Sequence, residues 1–394
     1  MAEDPNDWDI ATRLVRGGLA RSPHGEMAEA LFLTQSFAYD SAEAADARFA
    51  GAEPGFIYAR YGNPTVSMFE ERLALLEGAQ ACRATASGMA AVHLALMGLL
   101  SAGDHVVSGK ALFGSCRWIL NTWAPRFGVE TTLVDGPDIA AWRAAVRPNT
   151  KVFFLESPAN PLLEIADIAA ICAIAHEIGA KVVVDNVFAT PIFQSPLKLG
   201  ADVVVYSATK HIDGQGRVMG GAILGDAEML DQAYKDPMRH TGPALSPFNA
   251  WLLLKGLETL DLRVRRQSET AATLADRLAA SAKVRACRYP TRVDHPQHAI
   301  AARQMSGGGT LVAFDLGSRE AAFAFLNALE IIDISNNLGD AKSMATHPTT
   351  TTHRSMTEDQ RAEIGLTPGW VRLSVGLESP RDLARDLDRA LEAA

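Results

Sequence analysis

Between residues 105 and 206 the chain alternates short apolar runs with helix-patterned stretches, and that alternation leaves few folds open. The runs are His105 to Val107, Val129 to Leu133, Lys151 to Glu156, Lys181 to Asp185 and Val203 to Tyr206. They are mostly apolar along their length rather than alternating. That suits strands buried on both faces, as in a parallel sheet covered by helices such as the pattern Asp167 to Ile178. Open sheets of this kind bind ligands at the carboxyl ends of their strands. Asp185 closes one run, and Tyr206-Ser207-Ala208-Thr209-Lys210-His211 follows another. Both fall at the end where chemistry is expected.

The flanking segments complete a two-part organisation. Residues 1–55 lack sustained periodicity and read as an N-terminal arm with loops. Residues 56–245 form the large unit, and 246–394 the C-terminal one. Thr65 is expected to cap a helix through about Glu77, with Phe69, Leu73 and Leu76 on one face. A long helix is expected from about Ser246 to Ala280. A smaller α/β unit follows, with strands Gly309 to Leu316, Ile331 to Ile334 and Val371 to Val375, and helices Arg319 to Leu329 and Pro380 to Leu391.

Composition removes several function classes. The 394 residues are 48% hydrophobic and 21% charged, with a net charge of -9 and no basic run, so nucleic acid and anionic membrane are poor partners. Cys82, Cys116, Cys172 and Cys287 are widely spaced, with no Cys-x-x-Cys and no zinc spacing, which predicts reduced thiols, no metal and a cytoplasmic setting. Met1 to Ile10 is acidic and polar, unlike a signal or transit peptide. No Gly-x-x-x-x-Gly-Lys-Ser/Thr loop occurs, and no Gly-x-Gly-x-x-Gly follows an early strand. P-loop and nicotinamide-dinucleotide chemistry therefore lack support.

What remains fits one cofactor. Lys210 at a strand mouth supplies an amine for an aldehyde, Ser207 and Thr209 supply hydroxyls for a phosphate, and Asp185 supplies a carboxylate for a pyridinium nitrogen. Together these are the requirements of pyridoxal phosphate. Ser87-Gly88-Met89-Ala90-Ala91 opens an apolar helix running to about Leu100. Ser87 can be an ordinary N-cap, or the free amides there can hold the phosphate. Arg372 sits inside the apolar strand Val371 to Val375, and burial obliges it to find an anion, either a protein carboxylate or a substrate carboxylate.

With those residues in place, the chain resembles the Cys/Met-metabolism family of pyridoxal-phosphate enzymes over nearly its whole length. The resemblance rests on Tyr58-Ala59-Arg60-Tyr61-Gly62-Asn63-Pro64-Thr65, Glu156-Ser157-Pro158-Ala159-Asn160-Pro161, Asp185-Asn186-Val187-Phe188-Ala189-Thr190-Pro191 and Ser207-Ala208-Thr209-Lys210. It implies the aspartate-aminotransferase-like fold (fold type I), with a large mostly parallel-sheet domain and a smaller C-terminal α/β domain. It implies that Lys210 carries the cofactor and Asp185 meets its ring nitrogen. Gly88, Met89, Ser207 and Thr209 would hold the phosphate, and Arg372 the substrate α-carboxylate. Tyr58 and Arg60 would reach the phosphate of a neighbouring subunit, so that a homotetramer is built from dimers sharing sites.

Two departures narrow the activity that the resemblance implies. Phe113, in Leu112-Phe113-Gly114-Ser115-Cys116, stands where many members stack a tyrosine on the cofactor. Asn337-Leu338-Gly339-Asp340 stands where lyases and cystathionine synthases have Ser-Leu-Gly-Gly, and it resembles the sulfide-using members. The pattern is most like those that make homocysteine and succinate from O-succinylhomoserine and sulfide, a step of methionine biosynthesis. Cystathionine γ-synthase ranks next, then O-acetylhomoserine sulfhydrylase and γ-lyase.

Overall fold

The computed structural model describes residues 4–394, so Met1 to Glu3 of the expected arm lie outside the described residues. The five anticipated runs become parallel strands of one seven-stranded sheet. Its strands are β1 (Ala81–Thr85), β2 (His105–Gly109), β3 (Glu130–Val134), β4 (Thr150–Glu156), β5 (Lys181–Asp185), β6 (Val203–Tyr206) and β7 (Gly221–Gly225), in the order β1-β7-β6-β5-β4-β2-β3. Only β7 runs antiparallel to its neighbours. The central strands carry Val152, Phe153, Phe154, Val182 to Val184 and Val203 to Val205, all at 1% exposure or less, so both faces are covered as a parallel sheet requires.

β1 and β7 escape the sequence reading for a physical reason. β7 is Gly-Ala-Ile-Leu-Gly, short and glycine-bounded, and Arg83 interrupts β1. Gly221 is needed for contact rather than for strand propensity: a Cβ there would lie 2.3 Å from the Ser87 carbonyl oxygen. Strand β7 can thus lie directly beneath the start of helix Gly88–Met97.

Helix boundaries move as well. Asn63, not Thr65, caps helix Pro64–Glu77, its Oδ1 accepting from Thr65 N at 2.9 Å. The Thr65 hydroxyl instead donates to Ala30 O and accepts from Phe32 N, pinning the arm. Glu29 does the same at a deeper level, receiving the buried Arg72 guanidinium at 2.5 Å and the Lys255 ammonium. The arm itself contains helices Ile10–Arg16 and Ala42–Phe49. The single helix expected over 246–280 is two, Pro247–Leu257 and Leu260–Ala279, broken where Thr259 leaves helical geometry at φ -115° and ψ 7°. Leu254, Leu257, Leu260 and Val264 keep an apolar rhythm across the break, so periodicity alone could not reveal it.

The C-terminal unit has a separate five-stranded sheet of β8 (Ala286–Arg288), β9 (Leu311–Asp315), β10 (Asp333–Ile334), β11 (Met344–Thr346) and β12 (Trp370–Ser374), ordered β10-β11-β12-β9-β8. Helices Arg319–Asn327 and Pro380–Ala393 pack on it through Phe325, Leu383 and Leu387. Among the described residues no helix is long and apolar enough to cross a membrane.

Candidate active site

A cavity of about 270 Å³ opens where β4, β5 and β6 end, roofed by the C-terminal unit. Register places its acidic floor. β4 and β5 pair Glu156 with Asp185, and Asp185 pairs in turn with Val205 of β6. β6 then leaves the sheet, and Ser207, Thr209 and Lys210 all line the cavity. Ser87, Gly88 and Met89 form the wall beside them. A Cβ on Gly88 would lie 2.5 Å from that of Ser207, so only glycine lets the helix start approach so closely.

Ser87 is an N-cap, and that role leaves the neighbouring amides open to a phosphate. Its hydroxyl caps the helix by accepting from Ala90 N at 3.2 Å, while the amides of Gly88 and Met89, in the first turn, have no intrahelical acceptor. They face the same wall as the Ser207 hydroxyl. Two unspent N–H groups, a hydroxyl and the positive end of a helix dipole suit a phosphate. The Thr209 hydroxyl is engaged with the backbone of Gly220, donating to its carbonyl at 3.2 Å and accepting from its amide at 3.1 Å, so it offers a remaining lone pair rather than a free proton.

Lys210 Nζ donates to Asn337 Oδ1 at 2.5 Å, which puts the sequence-singled Asn337 beside the amine. Burial, with Arg372 nearby, lowers the Lys210 pKa to about 8. Burial raises the Asp185 carboxyl to about 7, against the pull of the Val187 amide at 3.1 Å. A cationic partner at Asp185 would bring it back to its charged form. Arg372 is 2% exposed, and its hydrogen-bond partners are neutral: Asn160 Oδ1 at 2.8 Å, Asn336 O at 3.0 Å and Asn337 O at 3.3 Å. Its Nε, also buried, has no partner among the described residues. Of the two partners open from sequence, a protein carboxylate is not in direct contact. A guanidinium with an unspent donor at a cavity wall suits a carboxylate ligand.

The chain matches the family model described as Cys/Met metabolism PLP-dependent enzyme over residues 11–392. The chain belongs to that family. An O-succinylhomoserine sulfhydrylase from Mycobacterium tuberculosis is 55% identical over 392 residues, covering 98% of this chain and 97% of the relative. One from Pseudomonas aeruginosa is 49% identical over 400 residues, covering 98% and 99%. A solved Campylobacter jejuni structure that carries N'-pyridoxyl-lysine-5'-monophosphate superposes with a TM-score of 0.94 at 31% identity, over 98% of this chain and 100% of that one. The fold is thus the type I fold of pyridoxal-phosphate enzymes, and the cofactor of this Cys/Met-metabolism enzyme is pyridoxal phosphate. The cavity fits that group, with an amine, a carboxylate, a phosphate-suited helix start and the ring of Phe113 on one wall.

Not every residue marked by the family pattern gathers there. Tyr58 and Arg60 do not line the Lys210 cavity. Arg60 lies on a separate cleft of about 340 Å³, its guanidinium 5.4 Å from the Tyr58 ring centre and 5.0 Å from that of Tyr61. Tyr58 is 38% exposed. Conversely, Glu156, Asn160 and Thr352 line the cavity of this family member without having been assigned a role from sequence. Glu156 carried the same signal as Asp185, a carboxylate ending an apolar strand. Thr352 comes from an irregular loop and carried none.

Proposed function

We propose that the protein catalyses γ-replacement, converting O-succinylhomoserine and sulfide to homocysteine and succinate. The carrying observation is full-length identity of 55% and 49% to O-succinylhomoserine sulfhydrylases, joined to the hydrogen bond that the cavity-lining Lys210 donates to Asn337. When bound, pyridoxal phosphate supplies an aldehyde for the amino group and a ring that withdraws electron density from the adjacent carbons.

This chain's residues would do the rest. Lys210 holds the cofactor until substrate arrives. As a free amine with a pKa near 8, it then takes and returns protons at the α- and β-carbons close to neutral pH. Asp185 keeps the ring nitrogen protonated, while Gly88, Met89, Ser207 and Thr209 anchor the phosphate. Arg372, steadied by Asn160, binds the α-carboxylate and so fixes which bond stands perpendicular to the ring. Asn337 parks the Lys210 amine and presents its carbonyl to Arg372, linking proton carrier to carboxylate clamp. The γ-carbon loses succinate by C–O cleavage and gains sulfur by C–S formation. Phe113 supplies a ring face without a phenol, so no proton is routed through that position.

In this reading Tyr58 and Arg60 complete the phosphate site of a second copy, in a homotetramer of site-sharing dimers, and the enzyme works in the cytoplasm on small-molecule substrates. The large unit is bounded at 56–245 and the smaller one at 246–394. The test offers O-succinylhomoserine with sulfide and cysteine at equal concentration and quantifies both products. Predominant homocysteine is expected, whereas predominant cystathionine would replace this reading with cystathionine γ-synthesis.

A further inference from the structure

We propose that Glu156 is a positioning residue that ties the aromatic wall of the cavity to its carboxylate clamp. The proposal rests on Arg372 being that clamp. Glu156 ends β4 at 5% exposure, and its two oxygens point to different loops. Oε2 accepts from Phe113 N at 2.8 Å. Oε1 accepts from Asn160 N at 2.9 Å. Asn160 in turn receives Arg372 Nη1 at 2.8 Å. One side chain therefore sets both where the Phe113 ring stands and where Asn160 holds the guanidinium. Neither loop belongs to a regular strand or helix at those residues, so each depends on such a tie for its place.

The surroundings agree with a fixed rather than a reacting carboxyl. Asp185 faces it from β5, Cys116 from the helix after Phe113 and Arg372 from β12. Burial, then Asp185, raises its pKa well above the usual carboxyl range, against the pull of the Phe113 and Asn160 amides and Arg372. With one backbone N–H on each oxygen, both oxygens are spent as acceptors holding the two loops. Buried acceptors that each meet one backbone donor are costly to remove, because the donor is left unpaired.

The experiment uses chemistry to split the two ties. Alanine at 156 removes both acceptors. Glutamine keeps one acceptor oxygen and turns the other position into a donor, so it can preserve one tie and must oppose the other. Cofactor affinity, read from absorbance during titration with pyridoxal phosphate, reports the Phe113 side. The KM for O-succinylhomoserine reports the Asn160–Arg372 side, and the KM for sulfide is the control. Glu156→Ala is expected to weaken both the cofactor affinity and the KM for O-succinylhomoserine by roughly ten- to hundredfold, leaving the sulfide KM within about twofold. Glu156→Gln is expected to lose one of the two readouts and keep the other.

Parallel changes of cofactor affinity and KM in Gln and Ala would overturn the proposal, as would no change in either. If Ala fails to fold, Gln alone decides by whether the readouts separate. Failure of the proposed activity itself would show differently, as wild-type protein that binds cofactor but makes no homocysteine.

Discussion

The cavity wall and the Tyr58–Arg60 segment carry equally specific sequence patterns, yet the fold treats them in opposite ways. Asp185 is placed by strand register, Lys210 follows the end of β6, Gly88 starts a helix packed on Ser207, and Arg372 meets three neutral acceptors. Tyr58 and Arg60 stand on an irregular stretch, outside that cavity, with the half-buried Arg60 guanidinium over the exposed Tyr58 ring. Under the proposed reading, the half prepared in one copy is completed by the Tyr58–Arg60 segment of another.

The sharpest way to break that contrast is to remove the best-placed group. Lys210→Ala is expected to lower homocysteine formation by more than about 10³-fold, since on the proposed reading it removes both cofactor attachment and the proton carrier. Retained turnover would mean that the wall is not the reacting half. Asp185→Asn is expected to lower kcat by roughly 10²-fold or more while cofactor absorbance shifts, because the amide cannot hold a proton on the ring nitrogen. Arg372→Lys preserves charge but not the fork. It is expected to raise the KM for O-succinylhomoserine by roughly tenfold to 10²-fold with a smaller change in kcat. A fall in kcat alone would instead assign Arg372 to the folded frame.

Arg60→Ala sharpens the other side of the comparison. If the segment serves a neighbouring copy, mixing Arg60→Ala with Lys210→Ala subunits and letting them exchange should restore activity that neither variant has alone. One partner then supplies an intact wall and the other an intact segment. No recovery on exchange, with both proteins folded, would place Arg60 in its own chain's cleft.

The smallest effect concerns what braces the wall from behind. Asn186, beside Asp185, donates to the Tyr206 hydroxyl at 2.6 Å, and that hydroxyl donates to Glu77 at 2.5 Å. Burial raises the Glu77 pKa to about 8 from 4.5. The folded protein therefore keeps a proton that the unfolded chain loses near 4.5, and stability falls as pH rises from about 4.5 to about 8. Glu70 and Glu164, each raised to about 7 by burial, act in the same direction. Glu77→Gln should stabilise the cofactor-free protein at pH 8 by on the order of 1–2 kcal/mol and flatten, without abolishing, the decline in melting temperature with pH. An unchanged slope would show that Glu77 is already ionised in the folded state.

Much of the wall was legible because its determinants are local. An apolar run ending in Asp185, and Ser207-Ala208-Thr209-Lys210 after another, announce both strand and chemistry at once. Strand β7 was not legible, since Gly221 is set by the approach of Ser87 and Gly225 by that of Asp202, both elsewhere in the sequence. Thr65 looked like a cap because its hydroxyl chemistry is right. Asn63 takes the role because Pro64 fits the first helical position. The break at Thr259 is hidden by leucines that keep their rhythm on both sides. Glu156 was visible as a strand-end acid, but its two partners belong to loops whose places only the tertiary fold defines.

The most direct test is borohydride reduction of the cofactor-loaded protein, followed by mass mapping of every lysine-containing peptide. The pyridoxyl mass is expected on the peptide holding Lys210 and on no other. A label on a different lysine, or bound cofactor that leaves all lysines unmodified, would contradict the site described for this chain.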